Sequence, residues 1–165
     1  MRHIISILVE NQFGVLARVS GLFSARGYNI DSLCVAETED PAVSRMTVVV
    51  HGDDKVLEQI EKQLKKLVET IEVADLTGEA HVERELVMVR VKAKGKERSE
   101  VIEVANIFRA KVVDLSPGSI VVEATGSAGK VKAFIDMMRP FGIEELVRTG
   151  KIAIGRSLDN QGKGK

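Results

Sequence analysis

The chain has 165 residues, of which 44% are apolar, and its 24 basic and 24 acidic side chains give a formal net charge of zero. This length allows one domain or two small ones, and a balanced charge disfavours a broad non-specific nucleic-acid surface, which needs a basic surplus. No apolar run approaches the roughly 18 residues of a membrane span, no signal peptide is visible, and the single Cys34 cannot form an internal disulfide, so we expect a cytoplasmic protein.

The first half of the chain predicts six elements in the order strand, helix, strand, strand, helix, strand. Apolar residues alternate in the strand segments and recur every three or four positions in the helical ones. Gly27 follows the last turn of the first helix, where a glycine in the left-handed region ends helices, and Asp53 or Asp54 can cap the second helix. The predicted strands are 2–10, 30–38, 43–51 and 71–76. The first helix is predicted over 14–26, and the second, which begins after its cap, has the apolar stripe Leu57, Ile60, Leu64 and Leu67.

The same order returns in the second half, after a polar bridge. Such a succession favours an α+β protein of two ferredoxin-like βαββαβ domains in tandem, each with two helices on one face of an antiparallel sheet. The strands are predicted over 86–93, 111–115, 119–125, 143–147 and 151–154, and the helices over 100–108 and 127–138. The domains are predicted at 1–77 and 85–156, with a linker at 78–84 and a disordered tail at 157–165.

The turn between the first strand and the first helix is a candidate binding site. Asn11 and Gly14 lie at its tip, and the backbone N–H groups that follow lie at the positive end of the helix dipole, where proteins receive carboxylates and phosphates. The alternative is a capped helix without a ligand, in which Asn11 or Gln12 accepts a hydrogen bond from a helix N–H group and Gly14 serves the backbone geometry. The turn taken alone favours neither interpretation.

A second polar element, Gly27 to Asn29, changes this balance. In the predicted fold the first helix runs antiparallel to its flanking strands, so Asn11 and Asn29 lie at opposite ends of one subunit. Two subunits paired edge to edge through the second strand bring one molecule's turn close to the other's Asn29 about a two-fold axis. The pattern therefore predicts a homodimer with a small polar site at its interface.

The residues of this site indicate an α-amino acid as the ligand. The N–H groups of Gly14, Val15 and Leu16 would hold a carboxylate, and the side-chain amides of Asn11 and Asn29 would accept hydrogen bonds from an ammonium group. Aliphatic walls would select a ligand with a small aliphatic side chain. The predicted wall residues are Val15, Leu16 and Ile30.

We find no catalytic or metal-binding constellation elsewhere in the sequence. His3, His51 and His81 show no metal-ligand spacing with one another or with Cys34, and the chain has neither a nucleophile elbow nor a Walker loop. The predicted central strands carry almost no aromatic residues that could stack on RNA bases. We therefore expect no catalytic residue, no metal, no nucleic-acid partner and no membrane partner for this chain.

Several phrases of the sequence resemble the ACT domain, an amino-acid-sensing module of metabolic enzymes, and in particular the small regulatory subunits of acetolactate synthase (acetohydroxyacid synthase). The resemblance covers nearly the whole chain and is strongest through about Glu85. Many ACT domains have proline just before the helix-opening glycine, where this chain has Phe13. The matching phrases are ENQFGVLARV (10–19), GLFSARGYNI (21–30), SRMT (44–47), QIEKQLKKL (59–67) and HVERE (81–85).

The resemblance implies a non-catalytic regulatory subunit with an N-terminal ACT domain. It further implies a separate catalytic subunit that carries thiamine diphosphate, Mg and FAD, which this chain would activate and make sensitive to feedback inhibition by valine. Asn11, Gly14 and Asn29 match the positions that hold the effector in that family. Ala36, on the predicted dimer-edge strand, matches a position tied to valine sensitivity.

Two alternatives stay open at the level of the sequence. One is a free-standing ACT-type protein that regulates a different metabolic enzyme, and the other is a small ferredoxin-like enzyme. The residues themselves do not choose among aliphatic effectors, because one methylene in an apolar pocket is worth only about 1–3 kcal/mol. The choice of valine therefore depends on the resemblance.

Overall fold

The computed structural model describes residues 1–157, apart from the side chain of Val56. It divides into two compact units, one formed by residues 1–82 together with the segment that starts at Ala153, and one formed by residues 83–152. The tail predicted over 157–165 lies, from residue 158 onwards, outside the described residues. Among the residues described, no helix is long and apolar enough to span a membrane.

The first unit has the predicted βαββαβ order. Its antiparallel sheet has the strand order β2-β3-β1-β4, so the first and third strands are central and the second strand is an edge. The elements are β1 (Arg2–Glu10), α1 (Val15–Ser24), β2 (Ile30–Glu37), β3 (Val43–His51), α2 (Asp54–Leu64) and β4 (Thr70–Asp75).

The core of this unit lies between the sheet and both helices. Every second residue of the two central strands faces this core, as expected for a strand with one face packed on helices. The sheet contributes Ile5, Ile7, Val9, Met46, Val48 and Val50, and the helices contribute Val15, Val19, Phe23, Leu57, Ile60 and Leu64. This packing fixes α1, and with it the turn that opens α1, against the sheet.

The second unit repeats the topology with the strand order β6-β7-β5-β8. A short 3₁₀ turn at Arg139–Phe141 leads into the last of these strands, and β9 (Ile152–Gly155) also pairs with β5. The elements are β5 (His81–Lys92), α3 (Lys96–Ile107), β6 (Lys111–Leu115), β7 (Ser119–Gly126), α4 (Ala128–Met138) and β8 (Ile143–Arg148). The α+β class and the tandem ferredoxin-like arrangement are thereby confirmed.

Helix ends follow local chemistry and differ from the predicted ends by a few residues. The Asp53 carboxylate accepts a hydrogen bond from the backbone N–H of Lys55 at 2.8 Å, which confirms Asp53 as the cap of α2. Gly27 has φ +74°, as predicted for a residue that ends a helix in the left-handed region. Helix α2 ends at Leu64, so Leu67 of the predicted apolar stripe lies beyond it. The N–H groups of Lys66 and Leu67 bond to carbonyls three residues back, which is the tighter 3₁₀ pattern.

Two segments near the predicted domain limits differ from expectation. Residues 81–84, predicted as part of a polar linker, are the first residues of β5. The segment from Ala153 groups with the first unit, because Ala153 packs with Ile4, Val49 and Leu76 and the N–H of Arg156 donates to Ala80 O at 2.8 Å. Ile4 and Val49 alternate along their strands with residues of the core, so they lie on the sheet face that points away from α1 and α2.

Candidate functional site

The turn from β1 to α1 has a helix N-terminus that no side chain caps. Gly14 occupies the cap position with φ +82°, in the left-handed region, and the first turn of α1 contains no acidic residue. The N–H of Val15 makes only a long backbone contact of 3.4 Å with Gln12 O. The first turn of α1 therefore has neither a side-chain cap nor an acidic residue that would compensate the helix dipole, which is the arrangement found at helix N-termini that bind anions.

Asn11 and Gln12 are engaged away from the helix. The amide nitrogen of Asn11 donates to Pro41 O at 2.9 Å and to Glu37 Oε1 at 3.1 Å, and the amide nitrogen of Gln12 donates to Glu10 Oε2 at 2.7 Å. The alternative in which Asn11 or Gln12 caps α1 is therefore wrong. Since Nδ2 of Asn11 uses both hydrogens in these bonds, its Oδ1 is left as an acceptor beside the turn.

Gly14 suits this turn for two reasons. Its positive φ strains any L residue with a side chain, and a Cβ at this position would stand 3.1 Å from a guanidinium nitrogen of Arg18. Arg18 is itself held by a 2.5 Å ion pair with Glu69. A side chain at position 14 would therefore occupy the approach to the N–H groups and disturb Arg18.

The structure separates the three residues predicted as walls. Val15 is only 3% exposed and belongs to the core, so in a single copy its side chain offers almost no surface to a ligand, and its backbone N–H, in the first turn of α1, is the group that the predicted site uses. Leu16 is 42% exposed, and Ile30 is half-buried against the edge of the core. Leu16 and Ile30 therefore remain as candidate apolar contacts.

Asn29 lies exposed at the start of β2, next to a buried tyrosine. The Tyr28 hydroxyl donates to Asp53 O, and burial, followed by the nearby Asp53 charge, raises the pKa of that hydroxyl. Gly52 leaves room for the ring, because a Cβ there would overlap the Tyr28 ring at 1.9 Å. This contact anchors the residue before Asn29 and so positions the end of β2.

The turn and Asn29 lie at opposite ends of the sheet. Strand β3 pairs Val43 with Glu10 and pairs Val50 with Ile30. These two positions on β3 are seven residues apart, which is about 23 Å at the usual rise of a strand. One chain therefore does not bring Asn11 and Asn29 together.

Strand β2 presents the free edge on which a second copy would have to pair. In the described sheet its hydrogen-bonded neighbour is β3, and Ala36 is exposed opposite Arg45. The small Ala36 side chain and the outward backbone groups suit pairing with another strand. An antiparallel β2–β2 pair would place the Glu37 end of one strand next to the Ile30 end of the other.

Sequence reasoning missed one side-chain contact at the Asn29 end. Nδ1 of His51 lies within hydrogen-bonding distance of the Asp31 carboxylate, at the point where the register between β2 and β3 shifts. The two residues are 20 positions apart in the chain. Their contact depends on the register shift between β2 and β3, which the local sequence does not predict. Within residues 1–157, no group of three or more His, Cys, Asp or Glu side chains is placed to hold a metal ion.

Two family models match the chain, one for each unit. The model described as "AHAS small subunit-like ACT domain" matches residues 5–72. The model described as "Small subunit of acetolactate synthase" matches residues 84–157. The βαββαβ fold with its glycine-tipped β1–α1 turn therefore places this chain in the class of ACT-domain proteins.

Curated relatives extend the match along the whole chain. "Probable acetolactate synthase small subunit" from Archaeoglobus fulgidus is 58% identical over 156 residues, which cover 94% of this chain and 98% of the relative. "Acetolactate synthase isozyme 3 small subunit" from Escherichia coli is 49% identical over 157 residues, covering 94% and 96%. The crystal structure of the acetolactate synthase small subunit from Thermotoga maritima has a TM-score of 0.86 at 41% identity, covering 94% and 98%. This chain belongs to the acetolactate synthase small subunit family.

Proposed function

We propose that this chain activates a separate catalytic subunit of acetolactate synthase and confers feedback inhibition by valine, as the regulatory subunit of an enzyme of branched-chain amino acid biosynthesis. The names of its relatives support the role of a small subunit. The catalytic subunit would carry thiamine diphosphate, Mg and FAD and perform the reaction. We assign no cofactor to this chain.

The uncapped β1–α1 turn is the observation that carries the effector site. A carboxylate accepts hydrogen bonds from the N–H groups at Gly14 to Leu16, where the first turn of α1 has no acid and no side-chain cap. The ammonium of the same ligand bonds to Oδ1 of Asn11, whose Nδ2 is already engaged by Glu37 and Pro41. These two contacts, on the two ends of one small zwitterion, select an α-amino acid.

A second copy of the chain completes the site. Pairing of two β2 edges about a two-fold axis brings the partner subunit's Asn29 and the partner's Ile30 to the turn. The apolar contacts are then Leu16 from one copy and Ile30 from the other, which suit a small aliphatic side chain. Among the aliphatic amino acids, we propose valine because of the family relationship.

Inhibition follows from linkage between this site and the catalytic subunit. Valine shifts the holoenzyme toward a less active state only as far as it binds that state more tightly. The affinity of a ligand held between two copies depends on how those copies are arranged. The dimer interface is therefore the element whose two arrangements valine distinguishes.

The substitution Gly14→Asp tests the site by placing a carboxylate where the ligand's carboxylate binds. We expect the variant to activate the catalytic subunit and to lose valine inhibition, since like charges at the helix N-terminus repel and the positive φ adds strain. The assay is the acetolactate-forming rate of the reconstituted holoenzyme against valine concentration, with calorimetric titration of valine into the isolated small subunit.

Gly21→Asp is the matched control, because it adds the same charge on the same helix where a Cβ meets no atom within 4 Å. Valine inhibition of this variant should match the wild type. Inhibition of Gly14→Asp at wild-type valine concentrations would show that the effector binds elsewhere.

A further inference from the structure

Phe13, at the tip of the β1–α1 turn, contributes nothing to the core of its own unit. Its side chain is 102% exposed, as in an isolated residue, and the neighbouring Leu16 is 42% exposed. The core between the sheet and the two helices of the first unit does not include Phe13. An aromatic ring held in water beside a binding turn gains stability only when something covers it.

The hydrogen bonds of the turn place Phe13 beside the free edge of the sheet. Asn11 ties the turn to Glu37, the last residue of edge strand β2, and to Pro41 in the connection to β3. In an antiparallel pair of β2 strands, the Glu37 end of one copy meets the Ile30 end of the other. In such a pair, the turn that carries Phe13 therefore lies close to the Ile30 end of the neighbouring copy.

We propose that Phe13 is a lid residue of the effector site, whose ring covers the aliphatic side chain of the bound amino acid and packs against the partner's Ile30. This inference rests on the proposed function, because the lid closes on a site that two copies form. The Phe13 ring and the ligand side chain are then buried together, because each covers apolar surface of the other. Phe13 would act on affinity and would slow ligand release, while the carboxylate and ammonium contacts fix orientation.

The test is calorimetric titration of valine into the full-length chain with Phe13→Ala, Phe13→Leu and Val68→Ala. Val68 is the matched control, because it is an apolar residue of the same unit, 91% exposed, next to the opposite edge strand β4. We expect Phe13→Ala to raise the Kd for valine about tenfold or more, as for truncation of a buried aromatic anchor. Phe13→Leu should recover much of that loss, and Val68→Ala should bind as the wild type does.

Sedimentation velocity at the titration concentrations separates lid closure from dimerisation. A raised Kd with the dimer intact supports the lid. A wild-type Kd in dimeric Phe13→Ala overturns it, as does a variant that loses only dimerisation and binds valine normally once concentrated. Wild-type protein that binds neither valine, leucine nor isoleucine would instead refute the proposed function itself, and the lid with it.

Discussion

Glu61, on α2, has an environment that disfavours the ionised form of its carboxylate. Removal from water raises the pKa of Glu61, and the nearby charges of Asp75 and Glu58 raise it further, while Lys65, with its ammonium 3.8 Å away, lowers it. The net direction is upward. The folded state therefore binds the Glu61 proton more tightly than the unfolded state does.

Replacement of Glu61 by glutamine should stabilise the protein at neutral pH. Ionisation of Glu61 costs stability as the pH rises through its folded pKa, and that cost vanishes below the ordinary pKa of glutamate, about 4.3. Glu61→Gln should thus unfold at higher urea concentration than wild type at pH 7–8, with the difference disappearing toward about pH 4.

Glu58→Gln on the same helix is the control of opposite sign. The hydrogen bond and charge of Lys62, with its ammonium 2.8 Å away, lower the pKa of Glu58, so neutralising it removes a favourable contact at neutral pH. Equal or lower stability of Glu61→Gln at pH 7–8 would contradict the assignment of Glu61 as a desolvated, repelled carboxylate.

At the scale of elements, an ion pair joins β5 to β8 in the second unit. Glu85 is 3% exposed, and its two carboxylate oxygens accept hydrogen bonds from Nε and an Nη of Arg148, each at 2.7 Å. These bonds raise the pKa of Arg148. A bidentate pair of this kind fixes both partners, and it compensates the burial of the Glu85 charge.

Loss of Arg148 should therefore destabilise the chain much more than loss of a surface pair does. Arg148→Met leaves the Glu85 carboxylate buried without its main partner, which should lower the free energy of unfolding by about 3 kcal/mol. The double variant Arg148→Met with Glu85→Leu should recover most of this loss. Urea unfolding of the full chain measures both, and a cost below about 1 kcal/mol for the single variant would class the pair as an ordinary exposed one.

Local chemistry made most elements of the fold predictable from sequence. The alternation in β1 and β3, the capping carboxylate of Asp53 and the left-handed Gly27 each act within a few residues, so their patterns are readable along the chain. The start of β5 at His81 was not predictable in this way. Its first residues are polar except for Val82 and carry no clear strand signature, and β5 gains a further neighbour, β9, from far along the chain.

In the candidate site, too, the local features were predictable from sequence and the tertiary ones were not. The β1–α1 turn and its left-handed glycine follow from residues 10–16 alone. Burial of Val15 and the bond from Asn11 to Glu37 depend on how α1 docks and on where β2 ends, which are tertiary facts. The sequence therefore did not show that the Val15 side chain is buried, whereas the separation of Asn11 from Asn29 followed from topology.

At the scale of the whole molecule, the proposed site would be complete only in a dimer. The predicted effector residues fall into two groups, 11–16 and 29–30, at opposite ends of one sheet. A ligand that needs both groups binds two paired copies and has no complete site on one. Binding and dimerisation are then linked, and each must strengthen the other.

Valine should therefore tighten the dimer. At a valine concentration 100 times its Kd, each occupied site stabilises the dimer by about 2.7 kcal/mol, roughly a hundredfold in the dissociation constant. Two symmetric sites would lower that constant about 10⁴-fold. Sedimentation velocity on serially diluted protein, with and without valine, measures the effect, and Asn29→Ala should remove most of it. A dimer constant that does not respond to saturating valine would place the whole site within one copy, because a ligand that binds monomer and dimer equally shifts neither.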